Sequence, residues 1–108
     1  MNEDQETVAA IFFPLLYIST FIQEKIDEHR AYANGDPNMK VNPEMQQMKL
    51  RQVASTQARM DEIQQEISAL KQMMIADTLE YMPLSSVKGD FLQRAENVRN
   101  ALKKLVTI

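Results

Sequence analysis

Residues 42–81 read NPEMQQMKLRQVASTQARMDEIQQEISALKQMMIADTLEY, and the fold turns on whether this stretch is one helix. Asn42 is a good N-cap, and Pro43 stands at the first helical position, where its missing N–H costs nothing. Glu44 then sets negative charge against the positive end of the helix dipole. No Gly or Pro follows until Pro83, and the residues between are rich in Gln, Met, Glu, Lys, Arg and Ala. All of these are good helix formers. The stretch therefore predicts a central helix over 43–81, about 58 Å long at ~1.5 Å per residue. That is very long for a chain of 108 residues.

Its apolar residues form a seam. Val53, Met60, Ile67 and Met74 recur every seven residues, and Thr56, Ile63 and Leu70 each fall three further on. This is the a/d pattern of helices that pack side by side. Gln52, Gln57, Arg59, Gln64, Glu66 and Lys71 flank it. Upstream, Gln46 and Lys49 take the seam positions and the apolar residues are Met45 and Met48, so the apolar face turns there. Antiparallel bundles within a chain and coiled coils between chains both use such a seam. The residues expected to carry helix-face interactions are Met45, Met48, Val53, Met60, Ile63, Ile67, Leu70 and Met74.

On either side the chain offers one more helix. Met1 to Glu6 reads as a frayed acidic tail, and Thr7 as a cap. Residues 8–22, VAAIFFPLLYISTFI, are almost all apolar. A membrane span needs about 20 apolar residues, and this run is shorter and contains Pro14, Ser19 and Thr20. A signal peptide needs a basic start and a small-residue cleavage site, and neither is present. The favoured reading is a helix over about 8–33 buried on most sides by protein, with Pro14 marking a kink or its first turn. Leu15, Ile18, Ile22, Ile26, His29 and Ala33 share one face. Lys25–Glu28 and Asp27–Arg30 are spaced as ion pairs, and Asn34-Gly35 is a stop signal.

A turn-rich loop follows over 34–42. Past Pro83, a third helix is expected over about 84–106. Phe91, Ala95, Val98, Leu102 and Leu105 form its stripe, which Leu84 and Val87 extend backwards. Asp90 and Gln93 have the spacing of a capping box.

Register counting then places the parts. If Ala33 lies near Pro43, Val8 lies near residue 68; if the third helix folds back from Tyr81, Leu105 lies near residue 60. The outer helices overlap alongside Arg59 to Ala69. Residues 23–52 are left as a two-helix hairpin whose apolar content includes Ile26, Tyr32, Met39, Val41, Met45 and Met48. The expected fold is a single all-α domain, an elongated antiparallel three-helix bundle or helical hairpin with a long, coiled-coil-like central helix.

Composition limits the chemistry. Hydrophobic residues are 44% and charged residues 25% of the chain, which is not the signature of disorder. Aromatic content is 6% with no Trp, which suits slender helical packing. Without Cys there is no disulfide framework and no thiolate chemistry. The net charge of −3 is unevenly spread: residues 1–36 carry seven acids against two bases, and residues 82–108 carry five bases against two acids. Ends of opposite sign can attract within a chain or between copies. His29 is the single histidine, and position 26 is Ile, so the Glu-x-x-His pattern of helical di-metal sites is missing. Gly35 and Gly89 make no phosphate-cradling loop. The acids Glu24, Asp27 and Glu28 read as a solvated face. No enzyme activity, cofactor, metal or small-molecule substrate is expected.

The loop Asp36-Pro37-Asn38-Met39-Lys40-Val41-Asn42-Pro43-Glu44 resembles the interhelical loops of type III secretion needle and inner-rod subunits. The resemblance covers nine residues, and the chain continues further past the loop than those subunits do. It implies a helical assembly subunit.

The expected function is that of a non-enzymatic helical interaction protein, a structural subunit of a homo- or hetero-oligomer acting through its helix faces. A small adaptor or a secretion or assembly chaperone binding a partner helix is the nearest alternative. Membrane association through 8–22 and nucleic-acid binding through Lys88, Arg94, Arg99, Lys103 and Lys104 stand behind these. Without a signal peptide, a soluble cytoplasmic protein is favoured.

Overall fold

The computed structural model describes residues 3–35, 42–78 and 84–106. They form three helices, α1 (Glu3–Gly35), α2 (Pro43–Thr78) and α3 (Leu84–Leu105), with no strand among the described residues. Each helix touches both others, and the molecule measures 56 × 21 × 19 Å. This is the elongated antiparallel three-helix bundle that the seam and stripes predict.

Cross-links fix the register. Gln46 Nε2 donates to the Ala33 carbonyl at 2.7 Å. About three turns on, Gln23 and Gln57 exchange side-chain amide hydrogen bonds at 2.8 and 3.0 Å. Residue numbers fall along α1 as they rise along α2, so the two run antiparallel, with Val8 beside residue 72 rather than 68, one helical turn from the counted position. On α3, Lys88 reaches Asp4 of α1 and Arg94 reaches Glu66 of α2, while Leu105 shares a surface cleft with Arg59 and Ile63. α3 therefore runs parallel to α1 and antiparallel to α2, and stops short of the hairpin end.

The start of α2 is built as its sequence requires. Asn42 Oδ1 accepts from the Glu44 N–H at 3.0 Å, and the Asn42 carbonyl accepts the first helical bond from Gln46 at 3.0 Å. α1 ends at Gly35, whose φ of +128° lies where a side chain would be strained. The rest of the loop, with Met39 and Val41, lies outside the described residues, as does the boundary at Tyr81 and Pro83.

One expected boundary and two expected caps are corrected. α1 begins at Glu3 rather than after a frayed tail. Glu3, Asp4 and Glu6 fill its first turn, where carboxylates complement the dipole. Lys88 Nζ holds Asp4 Oδ1 at 2.9 Å. Thr7 is not a cap: its hydroxyl donates to the Glu3 carbonyl inside the helix at 2.9 Å. α3 begins at Leu84, as expected, so Asp90 and Gln93 are interior and cap nothing. Asp90 pairs with Arg94, and Gln93 donates to Asn97. The apolar stripe outweighs the capping signal because it continues on both sides of Gly89. Pro14 sits inside α1, where it leaves the Ala10 carbonyl without its usual N–H partner.

One core runs through the three-helix part. Val8, Phe12, Leu15, Ile22 and Ile26 of α1 meet Met60, Ile63, Ile67 and Leu70 of α2 and the full expected stripe of α3. Burying each large apolar side chain contributes about 1.5–3 kcal/mol relative to leaving it exposed. Ser19 is a buried polar residue in this core, and its hydroxyl donates to the Leu16 carbonyl at 2.8 Å.

The expectation that residues 8–22 are covered on most sides is overturned. Phe13, Leu16, Tyr17 and Phe21 are exposed. In a bundle of three, each helix packs against two neighbours that lie on one side of it, and the outer face is left to solvent.

Candidate interaction surfaces

The seam residues divide into two groups. Met60, Ile63, Ile67 and Leu70 are buried in the core, and Val53 and Met74 are partly buried against it. Their side chains pack within the chain. Met45 and Met48 lie beyond the reach of α3 and are half-exposed, leaving them free to meet another molecule.

A second apolar surface was not apparent from the sequence. On α1, Phe13 is 59%, Leu16 40%, Tyr17 78% and Phe21 48% exposed. They fall on successive turns of one face. Together they present roughly 400 Å² of apolar surface, the size of the largest patch on an ordinary monomer and often a functional one. The Phe12 and Phe13 rings meet edge to face at 5.8 Å, tying the patch to the core. The Thr20 hydroxyl is turned back to the Leu16 carbonyl at 3.0 Å, so it adds no free polar group. At the far end Lys25 Nζ lies 5.5 Å from the centre of the Phe21 ring. The available signal was the offset: the buried stripe is 8, 12, 15, 19, 22 and 26, and residues 13, 17 and 21 fall outside it.

A third surface lies where α3 ends. Between α1 and α2, a cleft of about 500 Å³ opens over Ile26, Val53 and Thr56, with Lys49 and Arg59 at its two ends. Lys49 Nζ stacks over the Tyr32 ring at 4.5 Å. His29 also lines it, as an exposed residue on a helix face.

Two ion pairs among the described residues join helices, Lys88–Asp4 and Arg94–Glu66, and four lie within one helix. Arg94 Nε donates to Glu66 Oε1 at 2.6 Å. This hydrogen bond, reinforced by the guanidinium charge and opposed by partial burial, holds the Glu66 carboxyl below its usual range. The hydrogen bond and charge of Asp4 raise the Lys88 ammonium in turn. Arg99 pairs with Glu96, so three of the five cations expected to form a basic face on α3 are neutralised locally. The pairs Lys25–Glu28 and Asp27–Arg30 form as spaced. Among the described residues no group of His, Asp and Glu converges as a metal site would require.

Neither a family model, nor a curated protein, nor a solved structure matches this chain. The surfaces themselves carry the functional argument.

Proposed function

We propose that the chain is a non-enzymatic helical interaction protein, a structural subunit that assembles by packing helix faces against further copies or a partner protein. The observation that carries this is the row Phe13, Leu16, Tyr17 and Phe21, four large apolar side chains held outward on a rigid helix. Leaving them in water forfeits the burial free energy that covering them would supply, and aromatic anchors of this kind dominate protein interfaces. Tyr17 is the natural centre, being the most exposed of the four and carrying a hydroxyl that tolerates a wet rim.

The test is light scattering on protein eluting from a sizing column, at two salt concentrations, for wild type and for Tyr17→Glu. A defined oligomer that Tyr17→Glu dissociates, with helical content unchanged, supports the reading. A wild-type monomer that also captures no partner through this face ends it.

Membrane association is the second reading, because the same face lies in a helix long and apolar enough to span a bilayer. Full insertion would pull Val8, Phe12, Leu15 and Ile22 out of the core, so a helix lying in the lipid interface is the form compatible with the bundle. Flotation with liposomes separates the two: binding that Tyr17→Glu removes favours lipid, and none favours protein.

A further inference from the structure

The cleft beyond α3 has the shape of a missing helix. α1 and α2 continue past Leu105 for roughly 15 residues, or about 22 Å, and no third helix among the described residues packs on them there. Arg59 lines both the cleft beside Leu105 and the vacant one, so the vacancy continues the line of α3. Its floor is the half-buried Val53 and Thr56 above the buried Ile26, and its lining contains two cations and no carboxylate, with Glu28 and Glu62 in the adjoining clefts. Neither Lys49 nor Arg59 meets an acid among the described residues. On a chain of net charge −3, the lining itself is positive, with Glu28 and Glu62 outside it.

We infer that this cleft receives an acidic amphipathic helix from a partner protein, laid end to end with α3. Apolar residues at helical spacing would cover Val53 and the methyl of Thr56, as in other helix-in-groove complexes. Lys49 and Arg59 stand ten residues apart on one helix, about 15 Å, so the partner needs carboxylates spaced about three turns apart. Running in the direction of α3, its positive N-terminal end would meet the negative C-terminal end of α3. Met45 continues the α2 wall one turn beyond Lys49 and gives the groove an adaptable apolar end. A second copy is disfavoured, because a symmetric pairing that set these α2 walls against each other would bring Lys49 and Arg59 against cations. The inference rests on the hairpin end and is independent of the outer face of α1.

The probe is a fluorescently labelled peptide helix with leucines on one face and glutamates about three turns apart, followed by anisotropy. Wild type is expected to bind it. Lys49→Glu/Arg59→Glu together should weaken binding by about tenfold or more, as should raised salt. Both side chains are on the surface, so circular dichroism should find the double variant folded. A peptide with lysine in place of glutamate should not bind. The inference is overturned if the double variant binds equally well, if wild type shows no binding, if only a small organic anion such as dodecanoate binds, or if the wild type dimerises through this cleft and excludes the peptide.

Discussion

Arg94 Nε on α3 donates to Glu66 Oε1 on α2 at 2.6 Å, and the same guanidinium reaches Asp90 Oδ2 on its own helix at 3.7 Å. This contact sets the register of α3 against α2 in the middle of the bundle. Both side chains keep about a third of their surface in water, 33% for Arg94 and 38% for Glu66. Screening therefore limits the pair to about 1 kcal/mol or less. Because the folded carboxyl is held below its usual value, the contribution is present at neutral pH. It shrinks as pH falls through the folded value and is absent when both folded and unfolded states are protonated. A double-mutant cycle with Glu66→Gln and Arg94→Met, followed by urea unfolding, should give a coupling at pH 7 that declines as the carboxyl is protonated in acid. A coupling unchanged by acid would contradict it.

The seam separates core from surface within one helix. Leu70 is fully buried, and Met48 is 53% exposed. Leu70→Ala should cost about 2–5 kcal/mol through lost transfer and a residual cavity. Met48→Ala, outside the reach of α3, should change stability by about 0.5 kcal/mol or less. Urea midpoints decide: comparable losses at both positions would mean that the hairpin end is packed as tightly as the three-helix part.

The parts of this fold that were readable from sequence are those fixed by local chemistry or by periodicity. Asn42-Pro43 starts α2 and Gly35 stops α1 because few residues suit those backbone positions. The stripes of α2 and α3 point inward because polar residues surround them and leave one choice. Residues 8–22 offer no such contrast: with apolar side chains on every face, the sequence cannot say which face the neighbours leave open. The patch at Phe13, Tyr17 and Phe21 emerges only once α2 and α3 are placed. That α3 stops short of the hairpin end among the described residues, by contrast, follows from counting lengths, since α3 is shorter than the two helices it packs on.

The hairpin turn rests on two positions whose substitutions should behave differently. Asn42→Ala removes the acceptor for the Glu44 N–H and should cost about 1 kcal/mol, while Asn42→Gly should cost only a few tenths. Gly35→Ala meets no steric neighbour, since nothing lies within 4 Å of an added Cβ. Its cost, about 1 kcal/mol, comes from the φ of +128° alone. Thermal unfolding of the three variants checks this ranking, and Gly35→Ala equal to wild type would remove the backbone argument.

Phe21 and Ile22 are adjacent in sequence and opposite in environment: Phe21 is 48% exposed and Ile22 is 2% exposed in the core. Ile22→Glu places an unpaired carboxylate in the hydrophobic core, and should destabilise the bundle by several kcal/mol, roughly 4 or more. Phe21→Glu should leave stability within about 0.5 kcal/mol of wild type, or raise solubility, while weakening whatever assembly the outer face supports. Circular dichroism melts together with light scattering give both readouts. If the two substitutions unfolded the protein equally, both faces of α1 would be buried and the outer face would not be an interaction surface. If Phe21→Glu preserves the fold and abolishes assembly, packing within the chain and association between molecules belong to opposite sides of one helix.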